Sequence, residues 1–161
     1  MRIESILFYV LGYGVMNIAA FAVVGMLQRD TRRYGGLNSF AGLASRAPLH
    51  AAAMAILMLS LTGIPPTVGF FAKLYVLLAT VEAGLAWLAV IIVLNAALAA
   101  FYYLRVIVYM YMRDPEDEPA ELDRSPSGSI ALAISVVGVL ALGIFPGAVL
   151  ALLEVSAASL F

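Results

Sequence analysis

Four long apolar stretches constrain the fold of this chain more than any other feature of its sequence. They cover residues 5–27, 49–80, 85–112 and 128–146, and a helix needs about 20 mainly apolar residues to cross a ~30 Å hydrocarbon core. Only 12% of the residues are charged and 64% are hydrophobic, too few polar side chains to cover a water-facing surface. The sequence therefore predicts an all-α fold, a polytopic bundle of four spans forming one transmembrane domain over residues 1–161.

The second stretch is too long for one straight crossing, and it contains the segment Gly63-Ile-Pro-Pro66. The consecutive residues Pro65 and Pro66 remove backbone donors and clash with the preceding turn, so we expect the helix to be broken there. Broken helices occur at membrane depth where they line a cavity, and transporters place ion sites at them. Gly63, Pro65 and Pro66 are therefore predicted to form a hinge; the alternative is a kink absorbed by neighbouring helices.

Lys73, the only lysine in the chain, lies about two turns after this break within an apolar run. A lysine near the centre of a membrane helix costs on the order of 2.5–3.5 kcal/mol, and such residues usually mark ion or proton routes. Burial favours the neutral amine and a nearby carboxylate favours the ammonium, so a changing partner would let Lys73 take up and release a proton. The alternative is a lysine that snorkels to the interface near Glu82.

Other polar residues within the spans are weaker candidates for a proton relay. Asn17 and Asn95 either hydrogen-bond between helices or hold water. His50, at the start of the second stretch, is either a proton relay or an ordinary interfacial histidine. Tyr75 is a further relay candidate close to Lys73, and Arg105 is expected to anchor the third span at the membrane surface or to pair with a neighbouring subunit.

The arginines in the short loops predict the orientation of the spans. The loops at 28–48 and 113–127 contain six arginines, whereas the opposite side has only Arg2, so both loops should be cytoplasmic and both termini extracytoplasmic. Lys73 would then lie in the extracytoplasmic half of the membrane. The loop at 113–127 is acidic and proline-rich, and residues 147–161 are expected to lie along the interface as an apolar tail that carries Glu154.

Composition excludes several classes of function. The chain has no cysteine and one histidine, so it offers no thiolates for an iron–sulfur cluster and no histidine pair for haem. The net charge of −1, with few basic residues, argues against a nucleic-acid surface. No phosphate loop, nucleophile–base pattern or metal-ligand cluster is present in the sequence. We therefore predict no metal or cofactor site in this chain.

Five segments resemble, in the same order, the antiporter-like proton-translocating membrane subunits of respiratory complex I. The most specific is the broken-helix motif that ends at Lys73. Within this family the chain is most similar to subunit N, because subunit M usually has glutamate at the position of Lys73 and subunit L continues into a long lateral helix. The segments are LSLTGIPPTVGFFAK at 59–73, YGVMNIAAFAVV at 13–24, GLASRAP at 42–48, YYLRVI at 102–107 and LGIFPG at 142–147.

This resemblance implies a role in proton translocation. Family members have fourteen helices in two inverted repeats, each with a broken helix, and the four spans would be helices 11 to 14. Lys73 would be the terminal proton carrier, driven by quinone reduction elsewhere in an NADH-quinone oxidoreductase. FMN, iron–sulfur clusters and quinone would belong to other subunits. The implied partners are membrane-arm subunits similar to M, K, J, A and H, in the inner membrane of a bacterium.

The chain departs from the family in length, since the first inverted repeat is missing and no complete proton path can exist in these residues. We expect either a C-terminal fragment of a longer subunit or a split subunit whose other helices come from another chain.

Two alternatives to the complex I interpretation stay open. One is a subunit of an Mrp-type cation/proton antiporter, and the other is a non-catalytic scaffold whose lysine only pairs with a neighbour.

Overall fold

A computed structural model describes residues 2–27, 36–115, 125–147 and 151, and within these ranges every regular element is a helix. The predicted all-α class is therefore confirmed for this part of the chain. In chain order the helices are α1 (Arg2–Leu27), a 3-10 turn (Leu37–Phe40), α2 (Leu43–Arg46), α3 (Pro48–Thr62), α4 (Val68–Glu82), α5 (Ala86–Met112) and α6 (Pro126–Ile144).

Three of these helices, α1, α5 and α6, are long and apolar enough to cross a membrane on their own. Helices α3 and α4 have 15 residues each, which gives each a length of about 22 Å. Neither is long enough alone, so the fourth crossing expected from the sequence would have to combine the two. The predicted break is confirmed, since helical structure stops at Thr62 and resumes at Val68.

The helix ends have local causes in the sequence. Helices α3 and α6 begin at Pro48 and Pro126, because proline is preorganised for the first helical position and its missing N–H would have no partner there. Helix α3 ends in a Schellman motif, in which Gly63 at φ +94° donates to Ser60 and Ile64 donates to Leu59. The same motif with Gly84 ends α4.

The buried core lies among α1, α3, α4 and α6. Close backbone approach around the break depends on glycines: a Cβ on Gly143 would collide with the backbone of Pro66 and Thr67, and a Cβ on Gly12 would press against Val68. Helices α1 and α6 therefore enclose the unwound segment. The largest fully buried side chains are those of Phe8, Met16, Val23, Leu43, Leu57, Val68, Met110 and Val139.

Helix α5 packs less closely than the other long helices and exposes a long apolar face. Of its residues, only Ala89 and Met110 are buried. The C-terminal end of α5 is held by the amide of Gly42, which donates to the carbonyl of Tyr109. The arginines at 29, 32 and 33, the acidic segment 116–124 and most of the predicted tail at 147–161, including Glu154, lie outside the described residues.

Candidate functional site

The two halves of the broken helix overlap side by side. The amide of Gly69, in the first turn of α4, donates to Ser60 Oγ in the last turn of α3 at 3.3 Å. A Cβ on Gly69 would collide with the Ser60 backbone, so only glycine allows this approach. Ser60 is fully buried, and its hydroxyl donates to Met16 Sδ on α1 at 2.8 Å. The break is therefore a fixed arrangement of three helices.

The last four carbonyls of a helix have no partner within the helix and must find one elsewhere. At the end of α3 the Schellman motif provides amides for Leu59 and Ser60. The remaining carbonyls, those of Leu61 and Thr62, accept hydrogen bonds from Lys73 Nζ at 2.6 and 2.9 Å. The lysine side chain thus completes the end of α3 from the neighbouring half-helix.

Helix direction and the break together place Lys73 there. Side chains on a helix point towards its N-terminus, and the N-terminus of α4 lies beside the C-terminus of α3. The Lys73 side chain lies across Gly63, where an added Cβ would be 3.2 Å from Cδ and 3.4 Å from Nζ. It points away from Glu82, which is exposed at the far end of α4. The negative end of the α3 dipole stabilises an ammonium group at this position.

Lys73 also lines a cavity of about 290 Å³ between α1, α3, α4 and α5. An ammonium carries three donors, of which two are directed at the α3 carbonyls. Among the residues that the structure describes, those lining the cavity include tyrosines and an asparagine but no carboxylate. A cavity of this size with several polar groups has room for water. The lining residues are Tyr9, Tyr13, Leu61, Lys73, Val76, Ile92, Asn95, Ala96, Ala99 and Tyr103.

Three tyrosines of this cavity were not identified as site residues from the sequence. The hydroxyl groups of Tyr13 on α1 and Tyr103 on α5 are 3.5 Å apart, and Tyr9 stacks on Tyr13 with ring centroids 5.3 Å apart. In the sequence, the tyrosines of α5 resemble those of a membrane-interface belt. The signal that could have found Tyr103 is its helical spacing of four from Ala99 and eight from Asn95, which puts all three on one face.

The structure brings together only some of the predicted site residues. Asn95 lines the Lys73 cavity. Asn17 instead donates to the Tyr13 carbonyl within α1, and Tyr75 packs against Phe8 and Phe71. His50 lies at the other end of α3, where its Nε2 is 3.4 Å from Ser129 Oγ on α6.

The remaining predicted residues frame the break or the surface. Pro65 and Pro66, joined by a cis peptide bond, form the unwound segment with Gly63. They lie between α3 and α4, and their expected role as a hinge stays a prediction. Arg105 lies outside the cavity, and its guanidinium stacks over the Tyr109 ring at 5.7 Å from the centroid. Arg113 lies over the same ring at 5.4 Å.

Sequence comparison relates residues 1–99 to the family described as NADH:quinone oxidoreductase/Mrp antiporter, transmembrane. NADH-quinone oxidoreductase subunit N of Chloroflexus aggregans is 49% identical over 152 residues, which are 94% of this chain and 31% of that protein. Subunit N 1 of Solibacter usitatus is 44% identical over 159 residues, 98% of this chain and 33% of that protein. The chain thus spans about a third of the length of these relatives and corresponds to their C-terminal third.

Two solved structures have the same fold. A chain of respiratory complex I from Thermus thermophilus, determined with bound aureothin, superposes with a TM-score of 0.80 at 32% identity, covering 91% of this chain and 33% of that one. A chain of the Mrp complex from Dietzia sp. superposes with a TM-score of 0.77 at 25% identity, covering 96% of this chain and 37% of that one.

Proposed function

Because this chain belongs to the NADH:quinone oxidoreductase/Mrp antiporter family of membrane subunits, we propose that it provides the broken-helix proton site of an N-like subunit. In this proposal Lys73 is the proton carrier, and the segment from Gly63 to Pro66 is the hinge that presents it. The relatives named as subunit N support the N-like assignment. Coupling to quinone reduction elsewhere in an NADH-quinone oxidoreductase is part of the same proposal.

A single observation carries this function. Lys73 Nζ lies between the free carbonyls of the α3 terminus and a cavity that also contains Asn95, Tyr13 and Tyr103. Polar groups at membrane depth are costly, and ionisable ones mark proton routes. The arrangement therefore gives one titratable group both a stabilising site for its charged form and a polar space into which a proton can pass.

The geometry suggests how the proton affinity of Lys73 would change. On the carbonyls of Leu61 and Thr62 the ammonium is stabilised by hydrogen bonds and by the helix dipole. A small displacement of α4 relative to α3 would lengthen these bonds and favour the neutral amine, with the proton leaving through the cavity. A carboxylate supplied by a neighbouring helix would return the lysine to its charged form. Redox energy would thus act on Lys73 through movement of charges and helices.

The test replaces Lys73 in the complete complex and measures NADH-driven proton uptake by inverted membrane vesicles. Lys73→Gln keeps a hydrogen-bond donor without the charge, Lys73→Arg keeps the charge but cannot release a proton, and Lys73→Met removes both. We expect all three variants to assemble and to lose most proton uptake per NADH oxidised. Arg105→Gln, which removes a cation from the same membrane domain outside the cavity, should pump normally.

A scaffold role for Lys73 predicts a different pattern. If the lysine only completes the end of α3, the Gln and Arg variants should pump like the parent, because both still donate to the carbonyls. Normal pumping by Lys73→Arg would exclude proton release from this residue. Assembly is followed by the amount of intact complex recovered, which separates loss of pumping from loss of the protein.

The structural similarity to an Mrp complex supports a second candidate, a cation/proton antiporter subunit. Transporters also place ion sites at broken helices, so the site geometry alone fits either candidate. Sodium dependence distinguishes them: an antiporter subunit would give a pH gradient in vesicles on addition of Na⁺ without NADH. The higher sequence identity to the subunit N relatives favours the complex I assignment.

The proposed setting is the inner membrane of a bacterium, with both termini outside the cytoplasm and the loops at 28–48 and 113–127 inside. The partners would be subunits similar to M, K, J, A and H in the membrane arm. FMN, iron–sulfur clusters and quinone would be bound by other subunits. A multi-subunit membrane assembly is supported by the two similar solved structures. One is named respiratory complex I, from Thermus thermophilus, and the other is named Mrp complex, from Dietzia sp..

A further inference from the structure

Ser60 directs its hydroxyl group away from its own helix. The hydroxyl groups of Thr62, Thr80 and Ser135 donate to the carbonyl four residues earlier in the same helix, which is common for serine and threonine within helices. Ser60 instead donates to Met16 Sδ on α1, although sulfur is only a weak acceptor. The side chain is fully buried, so the neighbouring helices, and not water, set the direction of this hydroxyl.

The oxygen of the same hydroxyl faces the first turn of α4. The first amides of a helix have no partner within it, and the side chain at the N-cap often accepts a hydrogen bond from one of them. Thr67, at the N-cap of α4, makes no such bond and donates its hydroxyl to the Ile64 carbonyl. The amide of Gly69 donates to Ser60 Oγ across the break. Ser60 therefore caps α4 from α3.

The two halves of the broken helix thus cap each other. Ser60 of α3 accepts a hydrogen bond from the first turn of α4, and Lys73 of α4 donates to the last two carbonyls of α3. Gly69 and Lys73 are four residues apart, so they lie on the same face of α4. Ser60 directly precedes the first of the two carbonyls in the chain. The two contacts are therefore neighbours, and a shift of α4 that alters one alters the other.

We propose that Ser60 is a positioning residue for Lys73: its hydroxyl fixes the position of α4 along α3, and Met16 fixes the direction of that hydroxyl. Neither Ser60 nor Met16 is among the described residues that line the Lys73 cavity, so both act through α4. Without the hydroxyl, the buried Gly69 amide has lost its acceptor, which is costly. Helix α4 then moves, and Lys73 Nζ leaves the α3 carbonyls. The effect on proton transfer rests on the proposed function of Lys73, whereas the structural link does not.

Thermal midpoints of the purified complex test the link without reference to pumping. The variants are Ser60→Ala, Lys73→Met and the double variant. Residues that share a set of contacts change stability non-additively, so we expect the midpoint shift of the double variant to differ from the sum of the single shifts. Ser135→Ala, which removes a hydroxyl bonded within α6, should combine additively with Lys73→Met. Additive shifts for Ser60→Ala and Lys73→Met would overturn the proposal.

Proton uptake per NADH oxidised by inverted vesicles tests whether this positioning matters for proton transfer. We expect Ser60→Ala to assemble and to lose most of the uptake, and Ser135→Ala to pump like the parent. The conservative variant is Ser60→Cys, because a thiol is larger than a hydroxyl but still donates and accepts weakly. It should retain more uptake than Ser60→Ala. If Ser60 only filled space, the larger thiol would do more harm. That reversed order, or normal pumping by Ser60→Ala, would overturn the proposal.

A variant of α1 tests the same contact without altering Ser60. Met16→Leu keeps the side-chain volume nearly constant but removes the sulfur that accepts from the hydroxyl. We expect a partial loss of proton uptake. Met58→Leu, the same change at a buried methionine of α3 outside this contact, should pump normally. If Ser60→Ala gives no intact complex, Met16→Leu decides the matter, and equal pumping by the two leucine variants would overturn the proposal.

Failure of this proposal is distinguishable from failure of the proposed function. Normal pumping by Lys73→Arg would exclude proton release from Lys73 and would leave the non-additive thermal midpoints in place. Loss of pumping by the Lys73 variants together with normal pumping by Ser60→Ala would support the proton site and overturn the positioning role of Ser60.

Discussion

At the residue scale, the central feature is the meeting of Lys73 with the C-terminal carbonyls of α3. The contact exists because a left-handed glycine ends that helix and because no side chain at position 63 blocks the lysine. Gly63 has a φ of +94°, and Lys73 Cδ and Nζ lie within van der Waals range of the position that a Cβ would take. This glycine therefore has two separable roles, one in the backbone and one beside the lysine.

The two roles of Gly63 can be separated by comparing Gly63→Ala with Gly84→Ala, because both glycines have a left-handed backbone and only Gly63 lies beside Lys73. Each substitution places a Cβ in the left-handed region, which costs roughly 1–2 kcal/mol. A Cβ at Gly84 would have no heavy atom within 4 Å, whereas a Cβ at Gly63 would meet Lys73. We expect both variants to lower the thermal midpoint of the purified complex. Only Gly63→Ala should also lower proton uptake per NADH oxidised in vesicles. Equal pumping by the two variants would contradict the role of the Lys73 position.

At the scale of elements, the break is held in place by the helices around it. Helix α6 reaches the unwound segment because Gly143 leaves room for the backbone of Pro66 and Thr67. Helix α1 reaches it through Gly12 against Val68 and through Met16, which accepts a hydrogen bond from Ser60. Three small contacts thus fix the relative position of α3 and α4, on which the Lys73 hydrogen bonds depend.

Gly143→Ala should push α6 away from the break. Overpacking of this kind costs typically about 1–3 kcal/mol, so we expect a lower thermal midpoint and less assembled complex. Gly138→Ala on the same helix is the control, because its added Cβ would meet nothing within 4 Å; it should be neutral or slightly stabilising. Indistinguishable thermal midpoints for the two variants would mean that α6 does not pack on the break in this way.

At the scale of the whole molecule, α1 and α6 pack against the break, and α5 keeps a long exposed apolar face. The chain spans about a third of its relatives, so this face is available to helices from outside the described part. The chain has no cysteine, which makes its orientation in the membrane directly measurable by single cysteine substitutions.

Ser45→Cys and Glu82→Cys should report opposite sides of the membrane. Both positions are exposed, the first in α2 and the second at the end of α4. The distribution of arginines predicts that a membrane-impermeant maleimide labels the Ser45→Cys variant only in inverted vesicles and the Glu82→Cys variant only in intact spheroplasts. The reverse labelling would place Lys73 in the cytoplasmic half of the membrane and would contradict the orientation proposed here.

The sequence alone was sufficient for the helical class, the position of the break and the choice of Lys73 as the candidate residue. These features are local: apolar runs reflect the thickness of the bilayer, Pro65 and Pro66 cannot continue a helix, and a lone lysine in an apolar run is costly wherever it lies. The family resemblance of the segment ending at Lys73 was equally visible, because its letters are contiguous in the chain.

Only the tertiary structure decided which polar groups Lys73 meets. The carbonyls of Leu61 and Thr62 accept from Lys73 because the backbone amides at the end of α3 bond to other carbonyls, and no side-chain pattern displays this. The hydroxyl groups of Tyr13 and Tyr103 also meet, although these residues are 90 positions apart in the chain. The same packing left Asn17 bonded within α1 and separated His50 from the Lys73 cavity. Contacts between distant helices depend on how their surfaces fit together, and periodicity within each helix does not determine that fit.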